Sequence, residues 1–299
     1  MLDRFFLGII NFIFKGIARL PFSALYVISD FLYYLVYYVV RYRRKMTRRN
    51  IARSFPEATD KELRSIEKKF YRHFADSMVE TIKLLHITDD EMRRRFRFKN
   101  IEVIEYLRSD GRPVFLYLGH YANWEYVTSI TLWLKEGYDG FQVYHPLKNK
   151  VMDKFFYDLR SRFHTVSLPQ KMAPRAILKS ARAGKQPILG LIADQRPHWG
   201  QAGTWIDFLN QKTPIITGGE AMGQRLNAHF VYFKIDCVRR GYYEVTISQL
   251  IPDEKEEFSV SKQFMKLLEK DIQAAPQYWL WSHNRWKFDY DEYMYWHSK

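Results

Sequence analysis

Apolar positions crowd the first 40 residues of the chain. Residues 5–14 read FFLGIINFIF, and polar side chains recur at a spacing of four, at Asn11, Lys15 and Arg19. A helix that carries one polar stripe on an otherwise apolar surface is typical of a segment lying in a membrane interface. The pattern therefore predicts a first helix that associates with a membrane.

A second apolar stretch covers residues 20–40, with no Lys or Arg and one acid, Asp30. Its length suffices to cross a bilayer core, which takes about 20 apolar residues. Its tyrosines favour the headgroup region over the hydrocarbon centre. The sequence thus predicts an N-terminal membrane-embedded helical segment, and it leaves open a clean span or a hairpin held in one leaflet.

Basic residues follow at once, because residues 41–53, RYRRKMTRRNIAR, contain no acid. Basic residues beside a membrane segment stay on the cytoplasmic side and attract anionic lipids. An isolated basic run also suits a nucleic-acid-binding arm, but its place beside the apolar stretches favours the membrane, so we expect no nucleic-acid partner. The change in composition predicts a boundary, with membrane-anchoring helices over residues 1–50 and a catalytic domain over residues 51–299.

Beyond residue 50 the pattern alternates between helical and strand spacing. Thr59 and Glu62 form a capping box before a helix that keeps apolar spacing to about His86. Short apolar runs predict buried strands, helices are predicted between them, and a hairpin turns at Arg240-Gly241. The predicted strands are 113–118, 141–145 and 187–194, and the predicted helices are 123–136, 150–163, 172–182 and 216–227, with a last helix near 260–272. The predicted fold class is α/β, with a central mixed sheet flanked by helices.

Composition and charge narrow the functional classes. The chain has 299 residues, and a single cysteine, Cys237, excludes a disulfide framework or a thiolate metal cluster. The net charge of +14 indicates an acidic partner, which is a nucleic acid, an anionic membrane or an acidic protein or substrate.

Candidate chemistry concentrates just after the first buried strand, at His120 and Glu125. Ligands of open α/β sheets bind beyond the carboxyl ends of the strands, and a histidine can accept a proton near neutral pH when a carboxylate orients it. Five residues turn a regular helix by about 500°, so the two side chains can meet only if His120 precedes the helix and Glu125 lies in its first turn. The alternatives are a buried structural histidine and a first-turn acid stabilised by the helix dipole.

Other reaction classes find little support in the sequence. The chain has no Gly-x-Ser-x-Gly elbow, phosphate loop, dinucleotide fingerprint or His-Glu-x-x-His motif. A set formed by His120, His145, Asp194 and His198 lacks the spacing of metal ligands. We therefore expect no metal and no cofactor.

The block HYANWEY (120–126) resembles the His-x4-acid motif of the lipid A biosynthesis acyltransferases, the late lauroyl and myristoyl enzymes. The similarity extends from about residue 5 to 290. It continues through RRNIARSFPE (48–57), VYHPLKNK (143–150), LRSRF (159–163), GLIADQ (190–195), TPIITGGEAMGQRLNA (213–228) and APQYWLWSHNRWKF (275–288).

The resemblance implies a glycerolipid acyltransferase-like sheet and transfer of a fatty acyl chain from acyl carrier protein to a hydroxyl of a lipid A precursor. In such enzymes the histidine deprotonates the acceptor and the acid orients the histidine, so His120 and Glu125 take these roles. The implied partners are the acidic carrier protein, an anionic lipid acceptor and the membrane. The implied location is the bacterial inner membrane, with the catalytic domain on the cytoplasmic side.

Further site candidates lie in the matching blocks. Arg160 is a candidate for stabilising the oxyanion or for holding acceptor phosphate, against a solvated helix arginine. Candidates for substrate binding are Asn123, Asp194, Gln195, Arg196, Arg285 and Lys287, each against an ordinary structural or surface role. The aromatic side chains of Tyr278, Trp279, Trp281 and Trp286 suit either an acyl tunnel wall or the core.

Two positions depart from the family pattern. Residues 206–210 lack the usual glycine after two aromatic residues, so the loop geometry there stays open. His145 stands where an arginine is common, which puts a phosphate contact there in doubt. Neither departure touches His120 or Glu125.

Two other functions compete with acyl transfer to a lipid A precursor. One is the same chemistry on another membrane acceptor, such as an aminolipid, a glycolipid or a lysophospholipid. The other is a membrane-tethered binding protein that has kept the fold without catalysis.

Overall fold

A computed structural model describes residues 13–144, 146–147 and 149–297, apart from the side chains of residues 151 and 297. Residues 5–12 of the predicted interfacial stretch, including Asn11, and His145, where a phosphate contact was in doubt, lie outside the described residues.

A seven-stranded sheet forms the centre of the molecule, in the order β1-β9-β8-β2-β5-β3-β4. Strands β8 and β9 pair antiparallel, and the other neighbouring strands pair parallel. Its strands are β1 (Phe96–Phe98), β2 (Val114–Leu118), β3 (Tyr138–Tyr144), β4 (Val166–Pro169), β5 (Gln186–Ile192), β8 (His229–Arg239) and β9 (Tyr242–Leu250). All five residues of the central strand β2 are buried, as a strand covered on both faces requires. The predicted α/β fold with a mixed sheet is confirmed.

Helices flank this sheet. The first described helix, α1, covers residues 13–19. The others are α2 (Phe22–Tyr34), α3 (Arg44–Ser54), α4 (Asp60–Lys83), α5 (Asp89–Arg95), α6 (Glu102–Arg108), α7 (Lys150–Arg160), α8 (Ala173–Arg182), α9 (Gly218–Arg225), α10 (Ser259–Ala274) and α11 (Tyr290–His297). A π-helical turn, Leu35–Val39, extends α2, and 3₁₀ turns cover Trp124–Leu132, Ser161–Phe163, Gln170–Met172, Trp199–Gln201 and Pro276–Tyr278.

The helix predicted over residues 123–136 is present, but it is a 3₁₀ helix and ends earlier, covering Trp124–Leu132. Its side chains explain the difference. Thr128 Oγ1 donates to the carbonyl of Glu125, and Ser129 Oγ donates to that of Tyr126. Hydroxyls that bond the carbonyl three residues back compete with α-helical pairing.

Helix α4 begins with the predicted capping box of Thr59 and Glu62. Burial on this helix extends beyond its apolar positions, because Glu67 and Glu80 are buried whereas Met78 is 40% exposed. The cause is that α4 packs against α2, α3 and the 3₁₀ turn at Pro276–Tyr278, and so is covered on several sides.

The N-terminal helices share the core of the molecule. Phe22 and Leu25 of α2 and Ile51 of α3 belong to the main buried cluster. Asn50 Nδ2 donates to the carbonyls of Trp281 and His283. The boundary at residue 50 stays a prediction, with many contacts across it.

A separate hairpin, β6 (Trp205–Phe208) and β7 (Gln211–Pro214), contains the departure from the family pattern at residues 206–210. Leu209 and Asn210 both have positive φ, 50° and 59°, which is the geometry of a two-residue type I′ turn. The chain therefore closes this loop without a glycine.

Candidate functional site

The candidate site lies where two neighbouring parallel strands end. Leu118 of β2 is in register with Ile192 of β5, so the residues that follow, His120 and Asp194, emerge side by side. Gly119 leaves room for α10, since a Cβ there would lie 2.7 Å from Leu268 Cδ1 and that side chain would have to shift. The sheet edge thus brings together two side chains 74 positions apart in the chain.

His120 and Asp194 form a short pair. Nδ1 of His120 lies 2.6 Å from Asp194 Oδ1, and the backbone N–H of His120 donates to Oδ2 at 3.0 Å. The indole N–H of Trp279 also donates to Oδ2, at 2.8 Å. Burial alone would raise the pKa of Asp194, but His120 and Trp279 lower it to about 2.

These contacts determine the tautomer of His120. An ionised carboxylate only accepts hydrogen bonds, so in the neutral imidazole Nδ1 carries the proton and Nε2 keeps its lone pair. Gln195 Nε2 lies 3.2 Å from that atom, and the Trp124 ring meets the imidazole edge to face at 5.2 Å. His120 therefore presents a basic nitrogen beside a polar amide.

The predicted pairing of His120 with Glu125 was wrong. Arg160 takes both carboxylate oxygens of Glu125, with Nε at 2.9 Å from Oε2 and Nη2 at 2.6 Å from Oε1. The planar guanidinium matches a carboxylate in this two-bond geometry. Asp194 takes the place beside His120 because the strand register brings it there directly.

Arg160, at the end of α7, is held at the site by this pair. Burial alone would lower the pKa of Arg160, but the hydrogen bonds and charge of Glu125 raise it. The guanidinium also lies over the Phe156 ring, 5.2 Å from its centroid. The predicted site residues Glu125 and Arg160 are thus brought together as one unit.

The loop between His120 and Glu125 is held by helix α4. Ala122 has a positive φ of 51°, an uncommon conformation for a residue with a Cβ. Its N–H donates to the Tyr278 carbonyl at 2.9 Å, and its carbonyl lies 3.2 Å from His73 Nε2 of α4. Asn123 is buried, and its side-chain amide bonds Glu80 and the backbone N–H of Tyr126.

The remaining basic candidates lie at different depths. Lys287 is exposed. Arg196 is partly buried over the Phe288 ring, at 5.0 Å. Arg285 is 1% exposed and donates through Nη2 to the Pro214 carbonyl at 2.7 Å, while its Nε and Nη1 have no hydrogen-bond partner in the part of the chain that the structure describes. Burial lowers the pKa of Arg285 to about 10.

Three side chains of the site were missed or given another role by sequence reasoning. Asp194 was a candidate for lining the acceptor site rather than the partner of His120. Trp279 was assigned to the core or an acyl tunnel, and it is buried but also donates to Asp194. Glu80 was not singled out. The position of Asp194 after a buried strand was the signal that could have identified it. Glu80 lies inside an amphipathic helix, where its sequence context does not distinguish it from a surface acid.

Within residues 13–144, 146–147 and 149–297, no group of three His, Cys, Asp or Glu side chains is placed to hold a metal ion. In the same part of the chain, one helical segment, Phe22–Val39, is long and apolar enough to cross a membrane.

Comparison with known proteins gives two findings. A family model described as bacterial lipid A biosynthesis acyltransferase matches residues 1–288. The chain is also similar to lipid A biosynthesis acyltransferase 2 of Shigella flexneri, with 22% identity over 182 residues. That alignment covers 60% of this chain and 57% of the relative.

Proposed function

The chain belongs to the bacterial lipid A biosynthesis acyltransferase family, and we propose that it transfers a fatty acyl chain from acyl carrier protein to a hydroxyl group of a lipid A precursor. The observation that carries this proposal is the contact of 2.6 Å between His120 Nδ1 and Asp194 Oδ1. In the neutral imidazole this contact holds the proton on Nδ1 and leaves the lone pair of Nε2 for a general base.

In the proposed reaction His120 Nε2 takes the proton from the acceptor hydroxyl while its oxygen attacks the thioester carbonyl. The new ester C–O bond forms, the C–S bond breaks, and the imidazolium returns its proton to the departing thiolate. Asp194 stabilises the imidazolium and holds its tautomer, as buried carboxylates do in triads of this type.

Arg160 supplies positive charge toward the oxyanion of the tetrahedral intermediate. Glu125 acts on Arg160 rather than on His120, because both of its oxygens are bonded to the guanidinium. Fixed donors that face a developing negative charge are often the largest catalytic contribution. This assignment keeps His120, Glu125 and Arg160 in the machinery and adds Asp194.

Substrate binding is assigned to the polar groups around this centre. The Gln195 amide lies 3.2 Å from His120 Nε2 and so borders the position of the acceptor hydroxyl. Arg196 and Lys287 are candidates for acceptor phosphate, and Arg285 contributes positive charge from within the protein. Asn123 is assigned to positioning, since both ends of its amide are bonded inside the protein.

The membrane contact is assigned to one face of α2 and its π-helical extension. Four side chains at helical spacing along this face are between 45% and 71% exposed, namely Val27, Phe31, Tyr34 and Tyr38. On the opposite face, Ser29 Oγ donates to Asp76 Oδ1 at 2.6 Å. Asp30, which borders the exposed face and is itself 62% exposed, pairs with Arg240 at 2.7 Å.

These polar contacts favour a helix that lies in the plane of the cytoplasmic leaflet of the inner membrane. A spanning helix would carry Arg240 and its hairpin into the hydrocarbon, where charged side chains are costly. The exposed apolar face and the net charge of +14 suit an anionic bilayer surface and an acidic carrier protein.

The test is acyl transfer by the purified full-length protein, with acyl carrier protein thioester and lipid A precursor as substrates. We expect His120→Ala to lower kcat by roughly 10²-fold or more, as the loss of a general base does. Turnover close to that of the wild type in a folded His120→Ala protein would exclude the assignment.

A further inference from the structure

A buried carboxylate outside the reacting groups contacts the loop that carries them. Glu80 of α4 is 0% exposed. Its Oε2 accepts from Asn123 Nδ2 at 2.6 Å and from the Tyr243 hydroxyl at 2.8 Å, and its Oε1 accepts from the Tyr26 hydroxyl at 2.8 Å. All three donors are neutral. Burying a carboxylate is costly when no cation pairs with it, so such a group is weak evidence for a contribution to stability and points to a specific role.

The same helix contacts the loop at a second point. His73 lies seven residues before Glu80, which places both on one side of α4. His73 Nε2 faces the carbonyl of Ala122, and Glu80 accepts from the next residue, Asn123. Two consecutive loop residues are therefore held from one rigid helix, at the point where φ of Ala122 is 51°.

The two pairs assigned to catalysis, His120–Asp194 and Glu125–Arg160, both lie next to these contacts with α4. His120 precedes Ala122 by two residues, and Glu125, which holds Arg160, follows Asn123 by two. Asn123 also caps the 3₁₀ helix that carries Glu125, because its Oδ1 accepts from the Tyr126 N–H. A shift of Asn123 would move His120 and Glu125 relative to each other.

We propose that Glu80 is a positioning residue for acyl transfer: it holds Asn123, and through Asn123 it sets the placement of His120 against the Glu125–Arg160 pair. This inference rests on the proposed function. The third donor, Tyr26, comes from the membrane-facing helix α2, so the carboxylate also joins that helix to the reacting loop.

The first test compares leucine substitutions at two buried acids on the same helix. Glu80→Leu removes the acceptor for Asn123, and we expect kcat to fall roughly 10- to 100-fold with little change in KM, as small misplacements of reacting groups do. Asp76→Leu is the matched control, since Asp76 bonds Ser29 and Arg240 and, among the described residues, makes no hydrogen bond to the loop over residues 120–125. Glu80→Gln should stay within about threefold of the wild type, because its amide oxygen can still accept from Asn123.

A second test covers the case in which Glu80→Leu does not fold. Asn123→Asp places two carboxylates face to face and should lower kcat at least about tenfold. Glu80→Gln in that background restores an amide–carboxylate hydrogen bond with donor and acceptor exchanged, and it should recover most of the activity. Equal losses in Glu80→Leu and Asp76→Leu, or no recovery in the double variant, would overturn the positioning role.

A third readout does not depend on acyl transfer. The ring ¹⁵N resonances of His120, assigned by comparison with His120→Ala, should change in Glu80→Leu and Asn123→Asp and should be unaltered in Asp76→Leu. Unaltered resonances in all three variants would also overturn the inference. If the wild-type protein transfers no acyl chain, the proposed function fails, while this readout still tests the position of His120.

Discussion

Replacing Asp194 by Asn separates the roles of the two carboxylates near His120. Two N–H donors, from the His120 backbone and from Trp279, converge on Oδ2 of Asp194. The amide oxygen of the new asparagine takes that position, and its NH₂ group takes the position of Oδ1, 2.6 Å from His120 Nδ1. An NH₂ group can only donate, so Nδ1 becomes the acceptor and the proton moves to Nε2.

The magnitude follows from two losses. The imidazolium loses a hydrogen bond to a charged group, which is worth about 1.5–3 kcal/mol. In the active tautomer the Nδ1–H would also face the NH₂ group of the asparagine, and two buried donors without an acceptor cost about 1–3 kcal/mol more. Together these terms predict a fall in kcat of about 10²- to 10⁴-fold. Single-turnover acyl transfer by purified Asp194→Asn protein measures it.

The controls make this prediction refutable. His120→Ala/Asp194→Asn should be no slower than His120→Ala, because the two residues act as a unit. Asp76→Asn, another buried acid, should keep its turnover. An Asp194→Asn enzyme within threefold of the wild type, or losses that multiply in the double variant, would refute the pairing of His120 with Asp194 as the working unit.

Three further predictions concern the rest of the account. Arg160→Ala should lower kcat by roughly 10²-fold. Adding Glu125→Ala should lower kcat little further, since the pair acts together, and losses of the two single variants that multiply in the double variant would contradict this. Burial raises the pKa of Glu80 to about 7, so the folded protein keeps a proton that the unfolded chain releases at lower pH. Glu80 therefore adds to the free energy of unfolding at acid pH, and this contribution is lost as the pH rises toward 7. Denaturant unfolding at several pH values should show the wild type losing about 3 kcal/mol of unfolding free energy relative to Glu80→Gln over that window. Equal dependence of the two proteins on pH would argue against it. Phe31→Asp should weaken binding to anionic vesicles in a sedimentation assay without changing the fold, and undiminished binding would place the membrane contact elsewhere.

The local pattern was sufficient to predict five of the seven strands and the edge at which the candidate site lies, whereas the short strands β1 and β4 were not predicted. The apolar run that became β2 and the run that became β5 were recognisable as buried strands, and His120 and Asp194 each followed one of them. Their pairing was not predictable, because it depends on β2 and β5 being neighbours in register. Strand order depends on long-range packing that no local spacing reports, so the acid nearest in sequence, Glu125, was chosen instead.

The burial of charged side chains was the second feature that the sequence could not predict. Glu80 has the sequence context of a solvated helix acid, and it is buried only because Tyr26 of α2 and Tyr243 of β9 pack on the same side of α4 as Asn123. In α4, Glu67 is likewise buried, and it pairs with Arg44 and Arg48 of the basic run at residues 41–53, of which Arg48 stays 54% exposed. Tertiary contacts thus bury acidic side chains that local helical spacing would assign to the surface.

The most direct test of the central claim is mass spectrometry of total lipids from bacterial cells that lack the protein and are supplied with the wild type or with His120→Ala. The account predicts a lipid A species heavier by one acyl chain in cells with the wild-type protein, and its absence in cells with His120→Ala. Identical lipid A in all three cell lines, or an acyl chain gained by another lipid class, would contradict transfer to a lipid A precursor by this histidine.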